Sequence, residues 1–227
     1  VLFQDLDVAW YKDPLPYFQQ YTDRFDMIFQ DDGARGIRFK PYSGNSGVYY
    51  VRSNERTRYL MSSLVHMADF ILKTGSHQQA IIVLMSHHAS LHGLRVKTLS
   101  SDPQLPAGFQ YHNKDRTYIR QVIDGNVTPT LFHMSWTNNK GDKVKFMEQM
   151  GLWHVADKCR EQSGSRHNQT TSNSTTTTNN NNNNMKLTRK DCCVEEPIVK
   201  CHYSDTPSVI PCRDSPKIHP KAKPFWE

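Results

Sequence analysis

The stretch Leu2-Phe3-Gln4-Asp5-Leu6-Asp7-Val8-Ala9-Trp10 decides how the rest of this chain is read. Apolar residues surround two acids, and the run predicts a strand over Leu2 to Ala9. Residues two apart on a strand face the same way, so Asp5 and Asp7 would share one face. Two carboxylates together at the end of an apolar strand need a counter-charge. A divalent cation supplies one, and carboxylate oxygens suit magnesium or manganese. In open α/β sheets ligands collect at the carboxyl ends of strands. Taken alone, Asp-x-Asp also describes an ordinary solvated strand end.

Outward from this run, strands and helices alternate. Phe25 to Phe29 reads as a strand that ends at the turn Gln30-Asp31-Asp32-Gly33. Gly47 to Val51 is a second strand, β-branched and aromatic. Asn54 caps a helix reaching about Lys73, with Leu60, Leu64, Met67, Ala68 and Ile71 at helical spacing. Ser76 caps another, His77 to His92, stopped by Gly93. Leu94 to Leu99 and Thr130 to His133 are further strands. This order predicts an α/β fold with a mostly parallel sheet flanked by helices.

The chain has 227 residues and a formal net charge of +6, enough for one domain and a tail. That charge suits nucleic acid, an anionic membrane or an anionic small substrate. No run of like charges resembles a nucleic-acid arm, so nucleic acid is not an expected partner. No stretch approaches the roughly 18 apolar residues that span a membrane. The opening Val1-Leu2-Phe3-Gln4-Asp5 has no initiator Met and no basic leader. It reads as the middle of a domain, so the expectation is a fragment whose N-terminal part is missing.

Residues 1–160 read as the folded domain. Residues 161–184 are Ser, Thr and Asn, read as a disordered insertion. Residues 185–227 read as an irregular Cys/Pro-rich tail. Cys159, Cys192, Cys193, Cys201 and Cys212 all lie late in the chain. In an oxidising compartment they predict a disulfide-stapled tail with one thiol left over. The alternatives are zinc or free thiols, though no Cys-x-x-Cys pair is present. Asn126-Val127-Thr128, Asn168-Gln169-Thr170 and Asn173-Ser174-Thr175 fit the N-glycosylation pattern.

The run from Leu2 through Trp10 to Lys12-Asp13-Pro14 resembles the nucleotide-diphospho-sugar transferases related to glycosyltransferase family 77. Further segments match in order: Phe25 to Asp32, Asn45 to Arg52, Ser76 to Ala80, and Phe132 to Thr137. The resemblance covers about residues 1–160, and the tail from Cys192 to Trp226 looks like an extension seen in some members. It implies a GT-A-like, Rossmann-like fold and a Golgi or ER lumenal address, with a membrane anchor in the missing N-terminus of a type II protein. It also implies transfer of a sugar, with retention, from a nucleotide-diphosphate donor such as a UDP-sugar to a glycan or glycoprotein hydroxyl.

The same resemblance implies roles for particular residues. Asp5, Asp7 and His133 would hold Mn2+ or Mg2+ on the donor. Lys140, or second Lys143, would meet the diphosphate. The loop Asn45-Ser46-Gly47 would lie beside the donor, Gly47 allowing close approach and the Asn45 amide reading hydroxyls. Asp31 or Asp32 would face donor sugar or acceptor. Many relatives carry Asp before Gln where this chain has His77-Gln78, which makes Gln78 the stronger catalytic candidate beside a donor-binding His77. Plain alternatives exist: a turn at Asp31-Asp32, a core role for His133, solvated lysines. Trp10, Trp136 and Trp153 read as core or cleft wall, and His87 and His88 as surface or packing residues. Two other functions compete: a phosphohydrolase using the same acids with a second metal, and a truncated, inactive sugar-nucleotide-binding or interaction module.

Overall fold

Asp5 and Asp7 lie between two strands, not on one. The computed structural model describes residues 1–99, 102, 104–106, 118, 121–122, 125–137, 139–159 and 192–200. Strand β1 is Leu2–Gln4 and β2 is Val8–Trp10. They belong to different sheets. Asp5 N–H donates to Gly47 O at 2.7 Å, which ties it to the first sheet. Met134 N–H donates to Asp7 O at 3.0 Å, which ties Asp7 to the second. Leu6 is left fully exposed at the crossing. The shared strand face expected from the sequence is therefore replaced by a turn.

Helix α1, Leu15–Thr22, follows. Its Pro14 and Pro16 sit near the N-terminus, where proline's missing N–H costs nothing. Strand β3 is Met27–Asp31 and β4 is Gly44–Val51, with a short 3-10 turn at Ile37–Phe39 between them. Helices α2 (Glu55–Val65), α3 (Ala68–Thr74) and α4 (His77–His92) lead to β5, Val96–Leu99. Strand β6 is Leu131–His133, and α5 is Lys140–Gln149.

The larger sheet has the order β1-β4-β3-β5, and the smaller pairs β2 with β6. The class is mixed α/β, as expected. The pairing is less parallel than expected, because among the described strands only β3 and β5 run parallel. A parallel neighbour needs a long crossover, which α2 to α4 provide before β5. The stretch from Asp32 to Ser43 holds no α-helix, so it returns the chain antiparallel. The predicted helix from Asn54 to Lys73 is also two. Asn54 and Thr57 form a reciprocal capping box. The helix then tightens into i to i−3 bonds, His66 N–H to Ser63 O and Met67 N–H to Leu64 O, before α3 restarts. Ser76 stands at the N-cap of α4 but makes no side-chain cap bond.

Alternation on β3 sets the layers. Met27 and Phe29 pack with Leu60 of α2 and Ile81, Ile82 and Met85 of α4. Ile28 points the other way, with Phe18 of α1 and Leu131 of β6. On the far side of β6, Phe132 stacks on Phe146 of α5. The two sheets meet at a seam where β1 passes into β2. Of the tail, residues 192–200 dock on 153–159 through the Cys159–Cys192 disulfide and the bonds Ala156 N–H to Cys192 O and Ile198 N–H to Trp153 O. Cys193 is free and exposed. The insertion at 161–184, its two sequons, Cys201 and Cys212 lie outside the described residues. Among the described residues no helix is long and apolar enough to cross a membrane.

Candidate functional site

Three chain segments meet at the seam. Asp5 leaves β1, Asp7 enters β2 and His133 ends β6. One ligand atom from each lies within 4.8 Å of the others. His133 Nε2 is 3.4 Å from Asp7 Oδ1, and Lys143 Nζ is 2.5 Å from Asp7 Oδ2. Burial alone would raise the Asp7 carboxyl. Hydrogen bonds and charge from His133 and Lys143 outweigh it and hold the group well below the usual carboxylate range. Asp7 is therefore an anion at any physiological pH.

Glycine is required beside this cluster. A Cβ on Gly47 would sit 2.5 Å from His133 Cε1 and 2.6 Å from Asp5 Oδ2. Two carboxylates, one imidazole and a cleared space beside them fit Mn2+ or Mg2+. His133 is fully buried, with Nδ1 2.8 Å from Gln30 Oε1.

The wall beside the cluster is built by an irregularity in β4. Phe29 pairs with Tyr49, and the next residue, Gln30, pairs with Asn45. Ser46, Gly47 and Val48 thus have no partner on β3, the kind of bulge that re-aims a strand next to a site. Asn45-Ser46-Gly47 lies inside the strand and not before it. Asn45 Oδ1 accepts from Gly47 N–H at 2.7 Å, and its Nδ2 donates to Asp32 Oδ1 at 2.9 Å. Gln78 Oε1 accepts from Ser46 N–H at 3.1 Å, and His77 Nε2 is 2.9 Å from Ser46 Oγ. The first turn of α4 is thereby pinned to the bulge.

The two adjacent acids separate. Asp31 is held by Arg35 through both guanidinium nitrogens, at 2.8 and 2.5 Å, and by Gly33 N–H at 2.9 Å. Asp32 faces the cavity. Its Oδ2 is buried with no hydrogen bond of normal geometry among the described residues, although the Gln78 amide lies nearby. Burial pushes this carboxyl up, and the Gln78, Asn45 and Trp136 donors offset part of that. A buried carboxylate with an unmet lone pair is a receptor for a ligand hydroxyl.

Asp5 and His133 of the cluster share one cavity of about 450 Å³ with the wall, and Asp7 lies just outside its lining. Asp5, Asp32, Asn45, Gln78, His133 and Lys143 line it, with Ser46, Gly47 and His77. Lys140, the first choice from sequence, is exposed at the start of α5 and does not line the cavity; Lys143, one turn on, does. Trp136 is a cleft-wall residue, with a backbone φ of 65° and its indole N–H donating to Asp32 O at 2.9 Å. Trp10 packs in the core near Phe18, and Trp153 lies against the tail. His88 is buried against Tyr59, and His87 is beside it. Sequence reasoning missed Gln30, Arg38 and Phe39. For Gln30 there was a signal: it is polar and directly follows the apolar Met27-Ile28-Phe29.

The sequence pattern of the nucleotide-diphospho-sugar transferases matches residues 1–147. The chain is also similar to a UDP-galactose:fucoside alpha-3-galactosyltransferase of Dictyostelium discoideum, 24% identical over 171 residues. That match takes in 69% of this chain and 26% of the relative, so the chain spans about a quarter of that protein's length. No solved structure gives a significant match. With the family pattern running from Val1 into α5, and the acid-histidine cluster inside it, this chain belongs to the nucleotide-diphospho-sugar transferase family.

Proposed function

We propose that this chain carries the catalytic cavity of a metal-dependent glycosyltransferase that moves a hexosyl unit from a UDP-sugar to a glycan hydroxyl, with retention. The observation that carries the reading is the convergence of Asp5, Asp7 and His133 beside a cavity that Asp5 and His133 line together with Asp32, Asn45 and Gln78. The galactosyl donor in the Dictyostelium relative's name supports a hexose over a pentose.

Each side chain has work to do in that reaction. Asp5, Asp7 and His133 would hold the divalent cation. When bound, that cation draws off the negative charge that gathers on the departing diphosphate. Lys143 adds a point charge for the same phosphates from the rim. Asp32 and the Asn45 amide accept and donate to sugar hydroxyls, which fixes the ring in the cavity. Gln78 holds the Ser46 backbone and presents its amide toward the same space. The acceptor oxygen bonds to the anomeric carbon as the bond to the phosphate oxygen breaks. The acceptor's proton passes to that phosphate oxygen on the same face, so the protein supplies no separate base.

The same reading gives a Golgi or ER lumenal address, which the Cys159–Cys192 disulfide supports, since such bonds persist in oxidising compartments. The test uses the full-length protein with UDP-galactose and Mn2+. Turnover of the donor, by transfer or hydrolysis, is expected, with loss on EDTA and in Asp7→Asn. Turnover that survives both overturns the proposal.

A further inference from the structure

We infer that Gln30 is a positioning residue that holds a proton on His133 Nδ1, so that Nε2 is the ring nitrogen left to serve a cation between Asp5 and Asp7. The inference rests on the metal reading above for its purpose, but not for its geometry. Gln30 is fully buried on β3, and its side chain spans from the larger sheet to the smaller one. Its Nε2 donates to Pro106 O at 2.7 Å and to Leu105 O at 3.3 Å. Carbonyl oxygens only accept, so the amide cannot be turned round without setting oxygen against oxygen. Its Oε1 must then face His133 Nδ1, at 2.8 Å. An amide oxygen also only accepts, so the ring proton belongs on Nδ1.

This assignment opposes what the other neighbours favour. Nε2 lies 3.4 Å from Asp7 Oδ1, with Asp5 close by. Those carboxylates draw a proton toward Nε2, which would close the lone pair that a cation needs. Left to them, the neutral ring would carry its proton on the wrong nitrogen. Gln30 reverses the preference from the far side of the ring. Outer partners of metal-bound histidines typically change metal affinity by about 10 to 100 fold.

Two variants of the full-length protein test this. Gln30→Met keeps the side-chain length and removes the acceptor. Gln30→Glu keeps an accepting oxygen toward His133 in either protonation state, and when protonated it keeps one donor toward the carbonyls. The first readout is the 15N spectrum of the neutral His133 ring without metal. Wild type should show the proton on Nδ1, Gln30→Met should move it to Nε2, and Gln30→Glu should return it. The second is Mn2+ affinity by titration in the presence of UDP, expected to fall about 10 to 100 fold in Gln30→Met and to recover in Gln30→Glu. A wild-type ring protonated on Nε2, or a Gln30→Met ring unchanged from wild type, overturns the inference. If the tautomers behave as stated but wild type takes up no Mn2+, the positioning claim stands and the metal reading fails.

Discussion

Strand β3 is bracketed by acids, and its two ends treat them differently. Just before the strand, Asp26 is fully buried and saturated with donors. Arg56 Nε lies 3.0 Å away, Arg95 Nη2 3.1 Å, Asn54 Nδ2 2.9 Å, and Arg95 N–H adds a further bond at 3.0 Å. Beyond the other end, Asp32 keeps an unmet oxygen, and Asp7 meets one lysine and one histidine. A carboxylate that serves the fold has its donors built in, whereas one kept for a ligand leaves the last place open. Asp31 belongs with the first kind although it sits beside Asp32.

Removing acids at each end should therefore give opposite symptoms. The largest effect is expected for Asp7→Ala, which should lower UDP-sugar turnover by about a thousandfold, ~4 kcal/mol in the barrier. Its unfolding free energy should change by at most about 1 kcal/mol, since Lys143 is already a third exposed. Denaturant unfolding beside a turnover assay checks both halves. Asp26→Ala should do the reverse: about 3 kcal/mol less stable, with turnover per folded molecule kept.

Acid adds a second cut. Burial alone would raise Asp26, but its bonds to Arg95 and Arg56 hold it well below the usual carboxylate range. A depressed pKa means stability that is whole above the unfolded value of about 4 and drains as pH falls below it. Asp26→Asn should flatten that acid limb in melts recorded from pH 7 downward. Asp7 has the same sign, so some slope should remain.

Gly47→Ala comes next. Its methyl group would collide with His133 and Asp5, so Mn2+ affinity should fall at least about tenfold, roughly 1.4 kcal/mol, in a titration with UDP. The smallest effect separates the neighbours. Asp31→Asn should cost at most about 1 kcal/mol of stability, because Arg35 is half exposed, and leave turnover near wild type. Asp32→Asn should lose turnover while remaining folded. Equal losses in the two would break the distinction between saturated and open carboxylates.

Much of the site was legible because its residues are chemically conspicuous. Asp5 and Asp7 stand out by donor type, the family resemblance adds His133, and the three do converge. The acids approach through a turn joining two sheets and not along one strand face, a change no local periodicity records. Gln78 and Asn45 line the cavity together because β4 bulges, and Gly44-Asn45-Ser46-Gly47 reads as a loop because Gly and Asn are rare in strands, which hides both the strand and its bulge. The choice between Lys140 and Lys143 depends on where α5 begins after Trp136, a backbone turn in the left-handed region. Gln30 was passed over because its partners, His133 and Pro106, are far away in sequence. Strands β3 to β6 and α4 are legible in the pattern, but the break between β1 and β2 is not, nor is the antiparallel return through Asp32 to Ser43, since apolar runs do not carry direction.

The central claim is that the seam between the sheets holds one divalent cation against a nucleotide diphosphate. Calorimetric titration of Mn2+ into the full-length protein with UDP present tests it most directly. Binding of one Mn2+ per chain that disappears when Asp5 and Asp7 are both changed to alanine is the predicted result. Undiminished Mn2+ binding in that double variant would contradict the account.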